Sequence, residues 1–342
     1  MTLTDTIKRL CTLSAPSGAE REAFDELRAM ISEYTDEVKT DSMGNLIAYR
    51  RCGREKAPLL MLDAHMDEIG FIITGSEKGF LRFDTLGGVD PRTLPASEVL
   101  LLSEKPMLGV IDTMPPHVLS AEDMNKTVPR DKLYIDAGLT EEEADKLVPP
   151  GTCAVFVGNC VRLGENQLCC KALDDRACAA ILVCVLDKLK DKQLNIDLCI
   201  LISTQEELGM RGGKTGVFSI DPDYAIAVDV THAHTPDAKK EETLEMGKGP
   251  AVAIGPNANR ALTNAMFSCA KKFNIPHQTE VIPGNSGTNG WLFQVSRCGV
   301  PTAVVSLPIK YMHTPVETMD IRDGEALAEL LCAFAENFEE VR

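Results

Sequence analysis

The stretch Ser203-Thr204-Gln205-Glu206-Glu207-Leu208-Gly209 constrains this chain more than any other. It follows an apolar run over 196–202, broken only by Asp197, and leads into Gly209, Gly212 and Gly213. That pattern reads as a buried strand that delivers two adjacent carboxylates at its carboxyl end. Neighbouring carboxylates repel each other and are costly to desolvate, so either a solvated loop or a bound cation must accommodate them.

Three other mainly apolar segments share the form. Residues 58–64 lead to His65-Met66-Asp67-Glu68, 224–228 lead to Asp229, and 300–307 lead into a loop carrying His313. Each reads as a buried strand with a metal-ligating residue type at or just beyond its carboxyl end. An imidazole two residues before a carboxylate, as in His65 and Asp67, suits a ligand with an orienting acid. Lys171-Ala172-Leu173-Asp174-Asp175-Arg176 precedes a segment over 177–186 that is apolar on all sides, which predicts a buried helix with Asp174 near its amino terminus. An N-cap role accounts for Asp174 equally well.

Around these strands the helical periodicity of Leu3, Ile7 and Leu10 predicts a first helix. Ser17 and Glu20 form a capping-box pattern for a second helix carrying Phe24, Leu27 and Ile31. Residues 38–40 and 46–49 flank Met43-Gly44-Asn45 as a hairpin. Between 69 and 163 the texture changes to short alternating strands with frequent Gly and Pro, which suggests a small β-rich domain inserted into an α/β chain. The catalytic unit then comprises 1–68 and 164–342. Further helices are predicted over 259–273 and 322–340, and a short capped one over 140–147. His232 and His234 read as loop residues, because Asp229 takes the strand-end position.

Composition narrows the function classes. With 51 Asp+Glu against 35 Lys+Arg the net charge is −16, which disfavours binding to nucleic acid or to an anionic membrane. No apolar run approaches the roughly 18 residues of a membrane span, and the first ten residues lack a signal-peptide core. The 12 cysteines show no CxxC pair or regular spacing, and Cys178, Cys184 and Cys199 read as small buried hydrophobes. A reducing cytoplasm is the expected location.

In an open α/β sheet the carboxyl ends of the strands converge on one crevice. His65, Asp174, Glu206-Glu207, Asp229 and His313 would meet there, and two imidazoles with several carboxylates suit divalent zinc, cobalt or manganese. The absence of HExxH argues against a single-zinc helical metalloprotease.

Five stretches carry a resemblance: Asp63-Ala64-His65-Met66-Asp67-Glu68-Ile69-Gly70, Lys171 to Arg176, Gln205-Glu206-Glu207-Leu208-Gly209-Met210-Arg211-Gly212-Gly213, Val228-Asp229-Val230-Thr231, and Tyr311-Met312-His313-Thr314-Pro315-Val316-Glu317. In content and order they resemble the glutamyl, deblocking and tetrahedral (TET) aminopeptidases of peptidase clan MH. The segments Gly109 to His117 and Leu133 to Asp136 resemble that family's inserted domain. The resemblance implies a mixed-sheet α/β metallopeptidase catalytic domain, phosphorylase/hydrolase-like, with an inserted small β-rich oligomerisation domain. It implies two divalent metal ions per subunit, zinc or cobalt, with Asp174 bridging, His65 and Asp229 on one ion, and Glu207 and His313 on the other. Glu206 would be the general base and Asp67 would orient His65. The substrates would be short peptides with a free amino terminus, and the assembly a homo-oligomer of up to a dodecamer. Asn289, where the family form has an acid, and the His232 to His234 segment depart from the pattern, which bears on the substrate pocket rather than on the ligands.

Two other readings share these residues. A related dinuclear amide hydrolase, a deacylase or carboxypeptidase, would use the same water activation. A silent scaffold stabilised by metal would need no base, whereas Glu206 is present.

Overall fold

The computed structural model describes residues 1–120 and 122–340. Among these residues, eleven strands form one mixed sheet. Its main path runs Glu37–Thr40, Leu46–Arg50, Asp197–Ser203, Leu59–His65, Tyr224–His232, Thr302–Lys310, Glu317–Asp320, Gln167–Cys170 and Val161–Leu163. The strands Ala251–Ile254 and Gln278–Val281 branch from Thr302–Lys310. Asp197–Ser203, Leu59–His65, Tyr224–His232 and Thr302–Lys310 are mutually parallel, so their carboxyl ends share one edge. From Leu59–His65 the chain goes first to one neighbour and then to the other, which makes His65 the end of the strand at the topological switch point.

Side-chain alternation divides the sheet into two faces. Leu60, Leu62, Ile226, Val228, Val305 and Leu307 pack into a large core with the helices Leu3–Cys11, Leu173–Leu189 and Ile321–Glu336. Met61, Ala225, Ala227, Leu201 and Val304 face the other way, onto Arg211–Ile220 and Gly290–Phe293. Leu173–Leu189 lies between sheet and helices, which is why its sequence is apolar all round. Ile181, Leu182 and Leu186 are fully buried there, and truncating any one to Ala costs about 2–5 kcal/mol.

A second core belongs to a closed barrel of Gly70–Glu77, Phe80–Leu86, Ile135–Asp136, Met107–Ile111, Glu98–Leu101 and Cys153–Phe156, filled by Phe71, Phe83, Leu101, Ile135 and Phe156. The strand Val161–Leu163 pairs with Gln167–Cys170 in the large sheet.

Several local expectations need correction. The helix Arg21–Ile31 begins without a side-chain cap. Glu20 instead accepts hydrogen bonds from the Gly18 and Gln205 N–H groups, and the Ser17 hydroxyl donates to Asp67. Tertiary partners therefore outcompete the local capping box. Cys178 and Cys199 are buried as expected, but Cys160 and Cys170 form a disulfide. The hairpin explains it, since Val161 faces Cys169 and the next antiparallel step sets Cys160 beside Cys170. The other ten cysteines are free. No described helix is long and apolar enough to cross a membrane.

Candidate metal centre

The shared edge of the parallel strands carries the site. His65 ends Leu59–His65, Glu206 and Glu207 follow Asp197–Ser203, Asp229 lies near the end of Tyr224–His232, and His313 follows Thr302–Lys310 by three residues. Asp174 enters from the start of the buried helix, where Asp174 and Asp175 keep non-helical backbone angles. All six predicted ligand and base positions thus line one cavity of about 400 Å³.

Both imidazoles are oriented the same way. His65 Nδ1 lies 3.1 Å from the Asp67 carbonyl oxygen, and His313 Nδ1 lies 2.7 Å from the Gly88 carbonyl oxygen, contributed by the barrel segment. A carbonyl oxygen only accepts, so each Nδ1 carries the proton and each Nε2 faces the cavity. There His65 Nε2 meets Asp174 Oδ1 at 3.1 Å, and His313 Nε2 meets Asp174 Oδ2 at 3.2 Å and Glu207 Oε1 at 3.1 Å. Two nitrogens on the two oxygens of one carboxylate require a cation, either a proton on each ring or a metal ion between them.

The electrostatics express the same demand. Burial pushes the Glu206 carboxyl up to about 9, the charges of Asp229, Glu207 and Asp174 adding to it against the pull of His65. Burial likewise raises Asp229 to about 8. Burial disfavours a charged His313, yet hydrogen bonds to Asp174 and Glu207 raise it to about 11. Asp174 is held well below the usual carboxylate range in spite of burial, by His313 and His65. Buried carboxylates that resist ionising beside imidazoles that resist neutrality are what a polycationic centre would relieve.

The donors fit divalent metal. Ligand atoms of His65, Asp174 and Glu207 lie within 4.8 Å of one another, as do those of His65, Asp175 and Asp229. Glu206 Oε1 and Asp175 Oδ1 are buried without a hydrogen-bond partner. The motif Lys171 to Arg176 points to Asp174 alone; the structure adds its neighbour Asp175, and adjacency in that motif is the one sequence signal for it.

Asp67 does more than sit beside His65. Its carboxylate accepts the N–H groups of Glu206 at 2.9 Å and Glu207 at 3.1 Å, tying the two carboxylate-bearing strand ends together, while its Oδ1 is 3.5 Å from His65 Nδ1. Glu317, four residues after His313, is a further residue that the strand-end pattern does not mark. It accepts from His313 N at 2.8 Å and Asp174 N at 3.0 Å, so one buried carboxylate holds the backbone of two candidate ligands.

The departures resolve differently from expectation. Asn289 does not line the cavity; it is buried beneath it, donating to Asp63 Oδ2 at 2.9 Å and Ser203 Oγ at 2.8 Å. Its partner Asp63, raised to about 7 by burial, sits on the same strand as His65. His232 is not a loop residue, for it closes the strand Tyr224–His232 and lines the cavity, exposed. His234 is in the following loop, 3.1 Å from the Thr243 hydroxyl.

A doubly wound sheet that gathers His and carboxylate side chains at its switch point has the layout of a metal-dependent α/β enzyme. The sequence profile of the M42 glutamyl aminopeptidases matches residues 44–330, and the chain belongs to that family. It is 37% identical to the lysyl aminopeptidase of Pyrococcus furiosus over 97% of this chain and 96% of the relative. Among solved structures, an aminopeptidase from the archaeon Desulfurococcus kamchatkensis superposes with a TM-score of 0.91 at 34% identity, covering 98% of this chain and 94% of its own. The TET1 peptidase of Pyrococcus horikoshii, which assembles into a tetrahedron or a large octahedral shell, gives 0.87 at 32% identity, covering 98% and 100%. The protein is accordingly a metal-dependent aminopeptidase, a hydrolase of peptide bonds.

Proposed function

We propose that the chain removes amino-terminal residues from short peptides by general-base hydrolysis at a centre of two divalent ions, zinc or cobalt. The observation that carries this is the paired imidazoles turning Nε2 onto the two oxygens of Asp174. In this reading Asp174 would be shared by the two ions, His65 and Asp229 would hold one, and Glu207 and His313 the other. Bound together, two such ions polarise a peptide carbonyl and make a water acidic enough to attack at neutral pH.

The chain's own residues do the rest. Glu206 presents a buried, unpartnered carboxylate oxygen to the cavity, and burial makes it a strong proton acceptor. It takes the proton of the attacking water and passes it to the leaving amine. Asp67 holds the Glu206 and Glu207 backbone, and its carbonyl sets the tautomer of His65.

The barrel segment is proposed to make the contacts of a homo-oligomer. Support comes from Leu108, Val110 and Met114, which are exposed on or beside it, and from the shell built by the related TET1 peptidase. A cytoplasmic setting fits the ten free cysteines; the Cys160–Cys170 pair is the exception such a compartment would keep reduced.

Chelation should abolish release of amino-terminal residues, and zinc or cobalt should restore it. Peptides with acetylated amino termini should resist. Full activity of the stripped protein, or equal cleavage of acetylated peptides, would count against this reading.

A further inference from the structure

The family description names a glutamyl activity and the Pyrococcus furiosus relative a lysyl one, so kinship leaves the preferred residue open. The cavity wall of this chain bears on it directly. Glu280, on the strand Gln278–Val281, lines the cavity, half-buried, and both its oxygens are fixed by hydroxyls. Thr231 Oγ1 donates to Oε1 at 2.5 Å and Ser306 Oγ donates to Oε2 at 2.9 Å.

Sheet geometry locates this carboxylate relative to the metal centre. Thr231 follows Asp229 by two residues on the same strand, so both face the same way and Thr231 lies about 7 Å further out. Ser306 pairs directly with Asp229 across the parallel ladder. The strand Ala251–Ile254 lies between them, with Ala251 paired to Ser306 and Ala253 paired to Glu280, so small side chains separate the two. Glu280 is therefore held in the cavity wall by the residue paired with a candidate ligand and by the one two positions beyond that ligand.

Among the described residues Glu280 enters no ion pair, and no Lys or Arg lines the cavity. A carboxylate has about four acceptor positions, and the two hydroxyls occupy two. The remaining ones suit a ligand ammonium or guanidinium, while an acidic side chain would meet a like charge in a cavity already rich in carboxylates.

We infer that Glu280, positioned by Thr231 and Ser306, selects peptides whose amino-terminal residue is lysine or arginine. The assignment rests on the aminopeptidase reading above and deepens it. A lysyl chain carries its ammonium four methylenes from the α-carbon, so the reacting amide can stay at the metal centre while the charge reaches Glu280.

The test compares lysyl, arginyl, norleucyl, leucyl and glutamyl 4-nitroanilides with the zinc- or cobalt-loaded protein. Norleucine matches the lysine chain without its charge. The wild type should favour lysyl over norleucyl by about 10- to 100-fold in kcat/KM, the range expected for one charge-assisted contact. Glu280→Gln, which keeps the shape, should bring that ratio close to parity. Lysyl–norleucyl parity in the wild type, a glutamyl preference, or a folded E280Q with an unchanged ratio would each overturn the assignment. The wild-type ratio decides by itself should the variant not fold. Leucyl release without a lysyl preference removes only the role of Glu280; no release from any substrate removes the aminopeptidase reading and this assignment with it.

Discussion

At the scale of single residues, neighbouring carboxylates acquire separate tasks through what each one touches. Glu207 lies against His313, whereas Glu206 leaves an oxygen free toward the cavity. Glu206→Gln should therefore retain metal, measured by elemental analysis, while kcat/KM falls about 10²- to 10⁴-fold. A wild-type rate would remove Glu206 from the chemistry. Protons and metal also compete for the candidate ligand atoms. With His313 raised to about 11 and Asp229 to about 8, both are protonated at pH 7 before an ion binds. Each lies above neutrality, so binding must expel protons and affinity must increase with pH. The logarithm of the apparent affinity should rise by about one or more per pH unit from 6 to 8. Competition against a metal indicator at several pH values measures this, and a flat profile would refute it.

At the scale of elements, the buried helix Leu173–Leu189 is seated by a charge network as well as by apolar packing. Glu68 accepts from Lys171 Nζ at 2.6 Å, Arg176 Nη2 at 2.8 Å and Ala15 N at 3.0 Å. Arg176, fully buried, also donates to the carbonyls of Met66, Leu10 and Leu13. The network joins the first helix, the end of the switch-point strand and the start of the helix bearing Asp174. Glu68→Gln would leave two buried cations without a counter-charge, and should destabilise the protein by about 3–5 kcal/mol in urea unfolding. A loss below about 1 kcal/mol would show that apolar packing alone seats the helix. The element pattern itself was readable, because buried strands and all-round apolar helices leave distinct periodicities. The capping box over Ser17 and Glu20 was misleading because it uses the side chains that Asp67 and the Gln205 N–H recruit from a distance.

At the scale of the whole molecule, the barrel turns alternate residues of Met107–Ile111 outward. Leu108 is 62% and Val110 46% exposed, while Gly109 and Ile111 are buried. An apolar outer face on a closed barrel fits a surface covered by another subunit. The double variant Leu108→Asp, Val110→Asp should lower the mass measured by light scattering relative to wild type, with the barrel still folded by circular dichroism. An unchanged mass would place the contacts elsewhere.

The sequence alone determined the strand-end residues, because a strand's hydrophobicity and its terminal polar residue are local properties. His65, Asp174, Glu206, Glu207, Asp229 and His313 could be proposed as one site on that basis together with the family pattern. Only the tertiary structure decided which atoms face which. Strand order set Ser306 beside Asp229, loop geometry placed the Gly88 carbonyl on His313, and packing drew Asn289 onto Asp63 and Ser203 rather than into the cavity lining. Glu280 belongs to this second group. On its own strand it is an ordinary surface-type acid, and only the register of four strands sets its carboxylate in the wall of the candidate metal cavity. Side-chain partners across a sheet depend on which strands neighbour each other, and no stretch of sequence carries that information locally.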